Sequence, residues 1–228
     1  MDKFRFWEMV SYSKEIISEP FESTLKLKDE GGLSYALKYI SIVTLIKIIF
    51  PILTMFVGVM MLRGISDAMG LAGAIMLVVF FAVIVGALML IAIILLEPIK
   101  MLVFTFIFQR LSGLQGSTAA FRELVYSFAL FWAPWILFEG LLGIILSYVI
   151  PRGDINNAVQ PINLTLILVK AAIMYYYFSR IGMAITKLTL RKIAFPTVSS
   201  IVVLLLLEKA ISFLITSRIM NAISQSFG

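Results

Sequence analysis

The sequence predicts an all-α, polytopic membrane protein of five transmembrane helices preceded by an amphipathic interfacial helix, and three observations predict it. Of 228 residues, 61% are apolar and 14% charged, whereas a soluble domain carries about 45–50% apolar residues. Five apolar stretches of bilayer length are separated by short segments rich in Gly, Pro, Asp and basic residues, and five spans of about 20 residues each fit the chain length. Basic residues, finally, divide very unevenly between the two sides of those stretches.

The elements follow in order. Residues 1–38 form a cytoplasmic segment. From Lys3 to Ile17 the spacing fits an amphipathic helix, with Phe6, Met9, Val10, Ser13 and Ile17 on one face and Lys3, Glu8, Lys14 and Glu15 around the other. Phe4 and Trp7 flank the apolar face. Such a helix lies along the membrane surface, so Lys3, Phe4, Arg5, Phe6, Trp7, Met9, Val10 and Lys14 are the expected membrane-surface contacts, the basic ones toward anionic headgroups. The competing reading packs this helix on its neighbours. Glu19-Pro20-Phe21 breaks and restarts the chain, Asp29-Glu30-Gly31-Gly32 ends a second short helix, and Ser34 is placed to cap the first span. Met1 to Pro20 mixes acids and bases without the apolar core of a cleaved signal, and Met1-Asp2 lacks the glycine for myristoylation.

The expected spans are 39–62, 71–96, 124–150, 164–186 and 197–216, together a transmembrane domain 39–220 followed by a short tail 221–228. No charged residue occurs from Ala68 to Leu96. Pro98 to Phe108, apolar apart from Lys100, reads either as a kinked continuation of the second span or as a separate interfacial helix. Pro51, Pro98 and Pro134 each remove a backbone hydrogen bond and allow a bend. Ser112 to Thr118 is glycine-rich but lacks the Gly-Lys-Ser/Thr ending of a phosphate-cradling loop, and reads as a turn into the third span. The Tyr175-Tyr176-Tyr177 run reads as packing within the fourth.

On one side of the spans lie Lys3, Arg5, Lys14, Lys26, Lys28, Lys38, Lys100, Arg110, Arg122, Arg180, Lys187, Arg191 and Lys192, and on the other Arg63, Arg152 and Arg218. This ratio of 13 to 3 puts the N-terminus in the cytoplasm and, with an odd number of crossings, the C-terminus outside. In a prokaryote the membrane is the plasma membrane.

Six ionisable residues remain: Lys47, Glu139, Lys170, Glu208 and Lys209 within spans, and Glu97 at the cytoplasmic end of the second. Charge in the hydrocarbon is costly, so this candidate polar cluster faces the bundle or a watery cleft. Helix rise puts Glu139 and Lys170 at similar depth, which makes them the first expected ion pair. Lys47 can reach toward Glu97. Glu208 and Lys209 are about 100° apart and cannot both address one partner. Three readings stand for these charges: bundle glue that fixes helix register, an ion or proton path, and lipid-headgroup contact.

The chain has no Cys and no His, which excludes disulfides, thiol nucleophiles, imidazole bases and His- or Cys-ligated metals. No catalytic residue, cofactor, metal or nucleic-acid partner is expected, and the chain reads as non-enzymatic.

Three stretches resemble the Yip family of five-pass membrane proteins that bind Ypt/Rab GTPases. They are Ile17-Ser18-Glu19-Pro20-Phe21 with Leu25; Leu111-Ser112-Gly113-Leu114-Gln115-Gly116-Ser117 with Phe121, Tyr126, Ala129 and Pro134; and Tyr177-Phe178-Ser179-Arg180-Ile181-Gly182-Met183 with Thr189-Leu190-Arg191-Lys192-Ile193-Ala194. The resemblance covers nearly the whole chain and is to a prokaryotic-type member with a short N-terminal region. It implies a Yip domain of five helices, a cytoplasmic N-terminus, a role in membrane organisation or trafficking, and membrane-protein or small-GTPase partners. A small transporter or channel built on the intramembrane Lys and Glu residues is the alternative.

Overall fold

The computed structural model of the protein describes residues 5–61, 94–149 and 155–227. Among these residues every element is a helix: α1 (Phe6–Ser18), α2 (Pro20–Leu27), α3 (Leu33–Met61), α4 (residues 94–114), α5 (Phe121–Val149), α6 (Ile155–Thr186) and α7 (Leu190–Phe227). Nearly all of the second expected span, together with Lys3 and Phe4 of the expected surface contacts, lies outside the described residues.

Among the described residues three helices are long and apolar enough to cross a membrane: Phe121–Gly143, Thr165–Thr186 and Leu190–Leu214. They coincide with the third, fourth and fifth expected spans. α3 is 29 residues long, roughly 44 Å at the rise of an α-helix. Helix begins at Leu33, six residues before the expected span, so Ser34 falls inside the first turn instead of capping it. The glycines before it set that entry. A Cβ on Gly31 would fall into the ring of Tyr126, so the α2–α3 connection reaches α5 only through a residue without a side chain.

The break between α1 and α2 falls where the proline predicts it, with Pro20 opening α2 as its first residue. The two short helices then fold against the bundle, α1 on α2 and α5, and α2 on α6. α3 packs chiefly on α5, and α6 on α7.

Residues 98–108, ambiguous by sequence, lie within a helix that packs one face on the bundle. Helix is continuous from 94 through Pro98 to 114, and Met101, Phe104, Thr105 and Phe108 are buried. Phe104 stands at the centre of an aromatic cluster, with ring centroids 4.4 Å from Phe178, 5.3 Å from Phe128 and 5.7 Å from Trp132. Such tilted and edge-on pairs add to the burial itself. Packing on α5 and α6 thus holds a segment that composition alone leaves undecided. Where α4 passes the end of α6, a Cβ on Gly182 would strike Phe108 and Ile193, so this glycine permits the close approach of three helices.

Four threonine hydroxyls in the helices are satisfied locally. Thr44, Thr105, Thr186 and Thr197 each donate to the carbonyl one turn earlier, at 2.6 to 2.9 Å, which suits a chain with little water around it. After α4 the chain turns at Ser112, whose carbonyl accepts from Gln115 and Ser117. Gly116 takes φ +93° there, a conformation that a side chain would oppose.

Candidate functional site

Five ionisable side chains from four helices form one chain of alternating charge. Lys170 Nζ of α6 lies 2.7 Å from Glu139 Oε1 of α5 and 2.9 Å from Glu208 Oε2 of α7. Glu208 Oε1 is 3.4 Å from Lys100 Nζ of α4, and Lys100 donates to Glu97 Oε1 at 2.7 Å. Trp132 Nε1 closes the end by donating to Glu97 Oε2 at 3.4 Å. Glu97 and Lys100 are buried, while Glu139, Lys170 and Glu208 are partly so. In a low-dielectric setting each carboxylate here has an ammonium against it, the condition under which buried charge is tolerated.

The expected Glu139–Lys170 pair is therefore present. Two other expectations change. Lys100 ties Glu97 to Glu208, which stands 18 residues into α7. The partner of Glu97 is Lys100, not Lys47. Lys100 itself was expected among the flanking basic residues and is instead the hub between α4 and α7. The available signal was the i, i+3 spacing of Glu97 and Lys100 within an apolar run, which puts both on one helix face.

Lys47 lies with its methylenes against Gly140 and adds its field to Glu97; among the described residues it makes no ion pair. Lys209 is exposed. In keeping with the 100° separation, it takes no part in the ion pairs that Glu208 makes.

Two arginines place this chain along the helices. Arg110 lies over the Phe106 ring at 5.1 Å and Arg180 over the Tyr176 ring at 5.8 Å. In each pair an exposed basic residue folds back over an aromatic one turn away, the arrangement found at a membrane–water boundary. Lys100 is 10 residues from Arg110 and Lys170 is 10 residues from Arg180, or ~15 Å along each helix.

An open groove of about 780 Å³ between α5, α6 and α7 reaches the Glu139–Lys170–Glu208 part of the chain. Its walls are otherwise almost all apolar, and Trp135, Lys209 and Ser212 also line it. Trp135 Nε1 is buried and has no hydrogen-bond partner.

The N-terminal helices form a second feature, and here the expected contacts divide. α1 is apolar on two sides. Met9, Ser13 and Ile16 are buried, and Phe6 packs against Tyr39 with ring centroids 5.7 Å apart. Ser13 and Tyr39 share a hydrogen bond of 2.8 Å, and Tyr126 Oη donates to Met9 Sδ at 3.6 Å. Met9 is thus withdrawn from the expected surface contacts, because the bundle takes part of the face that was assigned to lipid, while Phe6 is half-buried. Tyr177 Oη anchors the end of α1 by donating to the Ile17 carbonyl at 3.1 Å. Trp7, 79% exposed, and Val10, Ile17, Phe21 and Leu25 remain outward. Lys14 is also exposed, and Arg5 forms an exposed 2.6 Å ion pair with Glu8.

Among the described residues no cluster of potential ligands could hold a metal ion. Comparison with protein-family models, with curated proteins and with solved structures finds no match to this chain.

Proposed function

We propose that the protein is a five-pass integral membrane protein of the Yip type that works without catalysis, organising membrane through lipid and protein contacts on a basic cytoplasmic face. Its N-terminus is cytoplasmic and its C-terminus outside, in the plasma membrane if the source is prokaryotic. The observation that carries this reading is the charge chain from Glu139 to Glu97. A conduction path needs carboxylates at successive depths, free to exchange partners, whereas here each carboxylate is held by a lysine and four helices are clamped at one level. The outward row Trp7, Val10, Ile17, Phe21 and Leu25 supplies the lipid contact, and membrane proteins or small GTPases are the partners the resemblance implies. Reconstituted protein should give ion flux equal to that of empty liposomes, and mild crosslinking in native membranes should capture a membrane-protein or GTPase partner. Flux well above the empty-liposome level defeats the reading.

The transporter reading has one observation in its favour, the groove that opens onto Glu139, Lys170 and Glu208. It requires solute or ion flux that disappears in Glu139→Gln and Lys170→Met.

A further inference from the structure

We propose that the groove between α5, α6 and α7 is a binding site for one phospholipid with an anionic headgroup, taken laterally from the bilayer. The groove runs along α7 from Val202 to Ser212, ~15 Å by helix rise, and its volume of about 780 Å³ falls within the usual range for small-ligand sites, roughly 300–1,000 Å³. Apolar walls open to the bilayer select an acyl chain. The polar groups select the head.

The carboxylates in the groove are already taken, since Glu139 and Glu208 both hold Lys170, and Glu208 holds Lys100 as well. What remains unpaired is a pair of donors. Among the described residues Lys209 has no carboxylate within ion-pair distance although it lines the groove, and Trp135 Nε1 is buried there without an acceptor. A ligand that completes this site brings acceptors and negative charge, and no further cation.

The two donors are also suitably spaced. Glu139 and Glu208 share Lys170 and so stand level; Lys209 follows Glu208 directly, and Trp135 is four residues before Glu139 on α5. Trp135 is therefore ~7.5 Å from Lys209 along the bundle axis, toward Val202. The headgroup phosphate lies at Lys209, near Ser212, an ester carbonyl accepts from Trp135 Nε1, and the chain continues past Val202. This inference does not rest on the Yip-type reading, and either one stands if the other fails.

The test uses the full chain in phosphatidylcholine nanodiscs containing a minor fraction of chain-brominated phosphatidylglycerol or, in parallel, chain-brominated phosphatidylcholine. Quenching present in the wild type and lost in Trp135→Phe belongs to Trp135. Brominated phosphatidylglycerol should quench it more strongly at equal content. Lys209→Gln should lower that preference about fivefold, the worth of one basic residue against an anionic headgroup, and Lys209→Arg should keep it. Val202→Phe, which fills the groove, should remove Trp135 quenching by both lipids. Equal quenching by the two lipids, a preference unmoved in Lys209→Gln, or a preference that survives Val202→Phe overturns the proposal. Stronger quenching by a brominated fatty acid than by brominated phosphatidylglycerol would also overturn it, in favour of a free carboxylate.

Discussion

Lys170 and Glu208, 38 residues apart on neighbouring helices, meet through both carboxylate oxygens, at 3.1 and 2.9 Å from the lysine nitrogen. The same ammonium holds Glu139 at 2.7 Å, so one cation keeps two carboxylates together in a place with little water. Removing the cation leaves Glu139 uncompensated and Glu208 with only its 3.4 Å contact to Lys100, which is more costly than losing a contact.

Lys170→Met should therefore destabilise the folded protein by about 3 kcal/mol, as breaking a buried pair does. The triple variant Lys170→Met, Glu139→Gln, Glu208→Gln should recover most of that loss. Thermal unfolding in a mild detergent measures both. If the triple variant were no more stable than the single one, the charges would not be acting as a unit.

Tyr39→Phe should leave the Ser13 hydroxyl without its 2.8 Å partner at a cost of about 1 kcal/mol. Because that bond joins α1 to α3, the variant should also expose the first 20 residues to limited proteolysis sooner than wild type. Unchanged cleavage rates would mean that the other α1 contacts suffice.

The outward row on α1 and α2 can be mapped cleanly, since the chain has no native cysteine. Spin labels at Val10→Cys and Ile17→Cys should be more accessible to dissolved oxygen than to a water-soluble nickel complex, and Glu8→Cys, exposed on the other side of α1, should show the reverse. Equal profiles at the three positions would detach this face from the bilayer.

Gly182→Val should cost about 2 kcal/mol, because its side chain has to displace Phe108 or Ile193 in a packed core. Gly113→Val, with open space around it, is the control and should lie close to wild type. A melting curve separates the two.

How much of this could be read from the residues depends on which kind of information each feature needed. Apolar run length is local, and it located α5, α6 and α7 well. The Glu139–Lys170 pair followed from counting residues along two antiparallel helices. Lys100 was misplaced for a tertiary reason: two residues beyond Pro98 it resembles a flanking cation, and only the burial of Met101, Phe104 and Phe108 shows that the helix continues past it. Met9 was misplaced for a different reason. Periodicity reports that α1 has apolar faces, but Met9 and Val10 are one residue and 100° apart, and nothing local decides which of them meets protein and which meets lipid. The groove was invisible because it is formed by three helices whose relative positions no sequence spacing encodes.

Arg110 over Phe106 and Arg180 over Tyr176 have a consequence for bilayers of different thickness. Both lie at the same end of the bundle, each 10 residues from a lysine of the charge chain, and as boundary residues they would hold that end at one membrane surface. A thicker or thinner bilayer is then accommodated at the opposite surface, where α5, α6 and α7 continue beyond the charges. Hydrophobic mismatch is absorbed by tilt or local thinning at those ends, while the depth of the charge chain below the anchored surface stays constant. The protein thereby carries a fixed ruler on one leaflet and an adjustable margin on the other.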